Sequence, residues 1–361
     1  MGIECPRLSI QKWKTVLQSS RSTMRAVQIT AYDGKPESLS VVDLPLPRPG
    51  PGEVLVKIFA SPVNPSDLVF LQGLYGFKKP LPAVPGFEGS GTVVEAGPGM
   101  LGRFLKGKRV ACAAADEKTT GGMWAEYVVT SAKLCIPLHN DVDLEQGAVM
   151  LVNPFTAWGL MEEARRGSHK AVVQTAAASA LGRMIGRLGQ RFSLPVINVV
   201  RRPEQVELLR DLGAEQVVNS GDARFEDSLH DLCHRLGATI GFDAVAGEMS
   251  GKVLRAQPHG ARLLVYGGLS FAPCQVDPGF LIFERKRLEG FLVSEWLRRK
   301  SSLVQLRVSR QVQKLLGSDL KTEFQARIPL KDTARGLRQY VTNMTAGKVL
   351  LVAEPSGDRD R

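Results

Sequence analysis

The chain has 361 residues, 43% hydrophobic and 23% charged, the balance of a soluble globular protein long enough for two cores. No run approaches the roughly eighteen consecutive apolar residues of a membrane span, and Cys5, Cys112, Cys135, Cys233 and Cys274 lie too far apart for a zinc module or a disulfide framework. The formal net charge of +11 admits an anionic partner. However, the densest basic clusters, Arg285-Lys286-Arg287 and Arg298-Arg299-Lys300, lack the interleaved aromatics of a nucleic-acid platform.

Residues 1–23, MGIECPRLSIQKWKTVLQSSRST, are basic, serine-containing and poor in acids. They read as a transit peptide, a disordered arm, or a stretch ahead of a start at Met24. The protein is expected in the cytoplasm, or in the mitochondrial matrix if the segment is a transit peptide. From Met24 to about His139 short runs such as RAVQIT, LSVVDL, EVLVKIFA, GTVVEAG, GKRVACAA and WAEYVVT are separated by turn-rich stretches, which predicts a mainly β domain, a small barrel.

Near Asp143 the rhythm changes. LEQGAVMLVNPFTAWGLMEEA reads as helices broken by Pro154. Strand KAVVQTA, helix SALGRMIGRLGQRF, strand PVINVV, helix PEQVELLRDLG, strand AEQVVN and helix FEDSLHDLCHRLG follow, then ATIGFDAVAG, read as a further helix, and ARLLVYGG. Such alternation predicts a parallel, doubly wound sheet. The tail holds helices at SLVQLRVSRQVQKLL and DTARGLRQYVTNM and a last strand, KVLLVA, expected to return to the first domain.

Between the first strand and helix of the alternating region lies TAAASALGRM, Thr175–Met184. A dinucleotide fingerprint needs small residues where backbone nears pyrophosphate and where helix packs on strand. Those places hold Ala177, Ser179 and Gly182, so only the last glycine survives. About twenty residues on, where an acid would accept a ribose 2′-hydroxyl, stand Arg201 and Arg202, which suit a 2′-phosphate. The expected cofactor is NADPH.

Together, NPSDL (64–68), VPGFEGSG (84–91) and the terminal GKVLLV resemble the medium-chain dehydrogenase/reductase superfamily, and the resemblance runs from Met24 to Glu354. It implies an α/β fold. A discontinuous GroES-like β-barrel catalytic domain (24–152, resumed over 291–361 with the tail) flanks a doubly wound Rossmann nucleotide-binding domain (153–290), with the active site between them. Zinc-dependent members carry a cysteine in the first of these segments and a histidine in the second. Here Asn64 and Phe87 stand there, so Glu88 reads as a structural acceptor and no metal is expected.

NPSDLVFLQGLYGFKKPLPAVPGFEG, MWAEYVV, VNPFTAW and INVVRRPEQ are most similar to mitochondrial-type 2-enoyl thioester reductases, with zinc-free quinone oxidoreductases the alternative. Carried over residue by residue, the resemblance makes Tyr75 the proton donor. It surrounds NADPH with Asn64, Asn153, Thr156, Ala178, Ser179, Ala180, Leu181, Gly182, Arg201, Arg202, Tyr266, Gly267, Gly268, Leu269, Phe291, Leu292, Val293 and Lys348. The phosphate turn is poorer in glycine and asparagine than the family's, and the arginines are adjacent where the family often separates them.

In the implied reaction hydride reaches the β-carbon of an unsaturated thioester, and the Tyr75 phenol, with a pKa near ~10, serves the enolate or α-carbon. Gly73 and Gly76 would let its loop approach closely, and Lys78 and Lys79 would meet carrier phosphates. A quinone acceptor needs no such tyrosine, and a third reading is a non-catalytic nucleotide-binding protein. Expected partners are a small-molecule or acyl-thioester substrate, an acyl carrier protein and a second copy in a homodimer, without nucleic acid.

Overall fold

The computed structural model describes residues 22–114 and 119–353. The extension expected over 1–23 lies outside them except for its last two residues, and Thr23 already opens the first strand, Thr23–Gln28. That strand pairs antiparallel with Ser40–Pro45. A seven-stranded sheet forms around Glu53–Pro62, whose Val54, Leu55, Val56 and Ile58 are buried. Glu88–Ala96 and Tyr127–Ser131 pair antiparallel with it, and Arg109–Ala113 and Cys135–Pro137 continue outward. On its other side the last strand of the chain, Lys348–Val352, sets Leu350 opposite Pro62 and Leu351 opposite Ser61, with Phe324–Pro329 beyond.

The second sheet is parallel and six-stranded. Its strands lie side by side as Gln216–Asn219, Val196–Val200, Val172–Gln174, Ile240–Asp243, Arg262–Val265 and Arg287–Gly290. In chain order that is 3-2-1-4-5-6, the doubly wound arrangement, with its switch point between the first and fourth strands. The α/β fold expected from the sequence is the one observed.

One element differs from its sequence reading. ATIGFDAVAG forms no helix: Ile240–Asp243 is a strand with all four residues buried. A short apolar run covered on both faces has no periodicity to distinguish strand from helix, and here two parallel neighbours claim it. The helix comes just after, at Glu248–Ala256. The sixth strand, Arg287–Gly290, was hidden by its charges, because it lies at the sheet's edge, where Arg287 stays exposed. Pro154 does separate two helices, Leu144–Ala148 and Asn153–Arg166, by sitting in the first turn of the second, where its missing N–H costs nothing. Along the tail, helices Val293–Arg298 and Ser302–Leu315 pack on Asn153–Arg166 before the chain reaches the first sheet.

Candidate active site

The turn before Glu88 is tight for steric reasons. Gly86 has φ +96°, and a Cβ on it would lie 2.5 Å from the Trp124 ring. Trp124 is fully buried and donates its indole N–H to Pro62 O at 3.3 Å. This turn delivers Phe87 and Glu88, both buried, to the neighbourhood of Asn64 and Tyr75. Glu88 is buried, and both its carboxylate oxygens are used. Oε1 accepts from Asn64 Nδ2 at 2.9 Å, and Oε2 accepts the backbone N–H groups of Leu151 and Val152, each at 2.9 Å. It is therefore a structural acceptor tying the first sheet to the start of the helix Asn153–Arg166.

Asn64 is the hub of this cluster. Its Oδ1 accepts from Lys348 Nζ, which also donates to Val63 O at 3.3 Å, and its N–H is accepted by Asp67 Oδ2 at 2.8 Å. Lys348, 2% exposed, thus turns its ammonium inward beneath the Tyr340 ring, 5.4 Å from the centroid. Burial raises the Asp67 carboxyl to about 7, opposed by the Asn64 N–H and by Lys348. Burial likewise pushes Glu88 up and Lys348 down, and their mutual attraction opposes both shifts. Asp67 and Tyr340 were not singled out as site residues. Asp67 had a local signal, standing three residues after Asn64 at a helix start, whereas Tyr340 arrives from a distant helix with none.

Tyr75 packs on an aromatic floor. Its ring lies 4.6 Å from that of Phe87 and edge-on to Phe77 at 5.2 Å. Burial raises its phenol pKa, and the Asp67 charge adds to the shift, so the hydroxyl keeps its proton through neutral pH. Of the flanking glycines only Gly73 is conformationally required, at φ +68°, while Gly76 faces open space. Lys79 corrects an expectation. It is buried, its ammonium donating to Ala114 O and Gly121 O, and so is not placed to meet phosphate. Lys78 is exposed, its ammonium 5.6 Å from the Tyr32 ring centroid.

At the switch point Ala176 takes φ +49°. Ala177 and Ala178 follow, buried, and Ser179 caps the helix Ala180–Arg191 by accepting the Gly182 N–H at 3.0 Å. A Cβ at Gly182 would meet Ala177 O at 2.5 Å, so the surviving glycine sits where helix and strand approach most closely. Leu181 is buried on the same turn. Buried Asp243 braces the junction. It accepts from Thr175 Oγ1 at 2.7 Å, Ser250 Oγ at 2.6 Å and Val245 N at 2.8 Å. Sequence reasoning missed it, although an acid ending a buried apolar strand is a usable signal.

Parallel strands bring the remaining predicted residues to the same carboxyl edge. Arg201 and Arg202 are exposed there, and Gln205 Oε1 accepts both their backbone N–H groups. Arg202 pairs with Glu204 at 2.8 Å; among the described residues Arg201 makes no ion pair. Tyr266 follows Arg262–Val265, and its buried hydroxyl has no partner among the described residues. Gly267 lies against Ala244 O, Gly268 and Leu269 are exposed, and Phe291 N donates to Val265 O at 2.8 Å. Exposed Leu292 precedes Val293, the start of the next helix. Asn153 and Thr156 are buried in the first turn of Asn153–Arg166, next to the Glu88 tie. The structure thus gathers two groups: the switch-point residues along the parallel sheet's edge, and Asn64, Glu88 and Lys348 below Tyr75.

The alcohol dehydrogenase GroES-like domain model matches residues 50–140, and the zinc-binding dehydrogenase model matches residues 180–307. The mitochondrial enoyl-[acyl-carrier-protein] reductase of Rattus norvegicus is 30% identical over 290 residues, covering 78% of this chain and 76% of that one. Among solved structures, a putative NADPH:quinone reductase from Mesorhizobium loti is 34% identical with TM-score 0.85, covering 93% of this chain and 100% of that one. The Etr1p complex with NADP and crotonyl-CoA is 25% identical with TM-score 0.75, covering 91% and 99%.

Proposed function

This chain belongs to the medium-chain dehydrogenase/reductase superfamily, a family of oxidoreductases, and from that premise we propose that it is a zinc-independent, NADPH-dependent reductase of 2-enoyl thioesters with Tyr75 as proton donor. The observation that carries the reading is Tyr75 itself. A phenol kept protonated by burial stands on an aromatic floor over a cluster of buried, hydrogen-bonded ionisable groups. The donor set argues for a metal-free reaction, since Asn64 and Phe87 occupy the ligand places and both oxygens of Glu88 are engaged.

The carboxyl edge fits NADPH. The Ser179-capped helix start offers N–H groups to a pyrophosphate, and Gly182 lets that helix start settle against the strand end, since a Cβ there would meet Ala177 O at 2.5 Å. Arg201, free of ion pairs among the described residues, is placed for a 2′-phosphate. Tyr266 has a spare hydroxyl at the same edge. Held there by Arg201 and the Ser179-capped helix start, NADPH would supply hydride for the β-carbon of the enoyl group. The Tyr75 phenol would hydrogen-bond the developing enolate, a contribution of about 2.7–4 kcal/mol when the donor is preorganised, and then give its proton to the α-carbon, the resulting phenolate being reprotonated from solvent. Lys348 acts at one remove, by fixing Asn64 and through it the Tyr75 loop.

A second reading, NADPH:quinone oxidoreduction, is favoured by the likeness to the Mesorhizobium loti protein. NADPH oxidation with a trans-2-enoyl-CoA and with a 1,4-quinone, measured side by side on wild type and Tyr75→Phe, separates the two. We expect the variant to lose enoyl reduction by about 100-fold or more with quinone reduction intact. Equal survival of both activities would reduce Tyr75 to a covering residue. On the expected outcome the natural substrate is a 2-enoyl thioester on coenzyme A or a carrier protein, and the acting form we propose is a homodimer.

A further inference from the structure

The helix Met100–Leu105 buries Gly102 and Leu105 but leaves Met100, Leu101 and Phe104 outside, 83%, 44% and 58% exposed. The turn Ala132–Leu134 packs beside it and adds Leu134, also exposed. Cations ring these side chains. Arg103, Lys106 and Lys133 are exposed, and the Lys108 ammonium lies 3.1 Å from the centre of the Phe104 ring. Among the described residues none of the four forms an ion pair, and the adjoining strand end contributes one exposed carboxylate, Glu95.

The clusters that stand out in the sequence behave oppositely. Arg298 and Arg299 pair with Glu295, Lys300 with Glu162, Lys286 with Glu284 and Arg287 with Glu289. Of those six cations only Arg285 lacks an ion pair among the described residues, whereas all four around the apolar knob lack one.

We propose that this knob docks the protein on an anionic lipid surface. Apolar side chains flanked by lysine and arginine are what an interfacial segment uses, the former entering the headgroup boundary and the latter meeting lipid phosphates. A helix of six residues offers far less than the roughly 800 Å² per partner of a stable protein interface, whereas partition into lipid needs no matching surface. The strand Glu88–Ala96 starts at the buried cluster and ends at this helix, so the knob sits roughly 25 Å from that cluster.

The test is co-sedimentation of the full chain with phosphatidylcholine vesicles, with and without phosphatidylglycerol. Binding is expected to the mixed vesicles only, falling as salt rises. Phe104→Ala should weaken it by about tenfold and Lys106→Ala with Lys133→Ala by about thirtyfold. NADPH oxidation with a soluble acceptor should stay unchanged in both variants, which also shows that they are folded. Equal binding to both vesicle types, no binding, or binding indifferent to Phe104→Ala overturns the proposal. So does self-association that Phe104→Ala abolishes, which would give the face to a second copy.

Discussion

Asp67 is fully buried, and one of its oxygens already accepts the Asn64 N–H. Its pKa in the folded chain, about 7, lies above the roughly 3.9 of an unfolded aspartate. The folded state therefore holds a proton that the unfolded chain releases. That stabilisation is complete below about pH 4 and is lost as pH rises through 7. Asp67→Asn keeps an acceptor for the Asn64 N–H and removes the titration. Thermal unfolding followed from pH 4 to 8 should show the wild type losing stability relative to this variant as pH rises; parallel curves would remove Asp67 as the cause. Tyr75 feels the same group, because the Asp67 charge adds to the burial that raises its phenol.

The turn at Ala176–Ser179 and the helix after it act as one element. Gly182 is required here for space rather than for φ or flexibility, since its missing side chain lets the helix settle on Ala176 O and Ala177 O. Alanine ordinarily favours a helix over glycine by about 1 kcal/mol. Here Gly182→Ala should instead destabilise by about 1–3 kcal/mol, the cost of overpacking, and weaken nucleotide binding by lifting the helix start; denaturant midpoints and NADPH titration check both.

This element was legible because its chemistry is local: strand, small residues, capping serine and glycine follow one another in the chain. The Asn64–Glu88–Lys348 cluster was legible only in part. Asn64 and Glu88 stand in recognisable turns, but the direction of the Lys348 ammonium and the presence of Tyr340 depend on strand pairing across the chain. Ile240–Asp243 was misread for a related reason, since four buried residues carry no period until their neighbours are known.

On the scale of the molecule, the parallel sheet ends at Arg287–Gly290, a strand with one paired side. Beside it Ile282 and Phe283 are 66% and 79% exposed. An edge strand next to large apolar side chains is open to pairing with a second copy, and the homodimer proposed above would use it. Ile282→Asp with Phe283→Asp should halve the mass seen by light scattering; an unchanged mass would move the interface elsewhere.

The pairing of Lys348–Val352 with Glu53–Pro62 also sets a timetable. Asn64 and its partner Lys348 are separated by 284 residues of chain. At a synthesis rate of about 5–20 residues per second, the earlier strands wait on the order of 15–60 s for the strand that completes their sheet. The parallel sheet, contiguous in the chain, has all its strands well before then. On the ribosome the nucleotide-binding half is therefore finished first, and the floor beneath Tyr75 closes only when nearly the whole chain has been made.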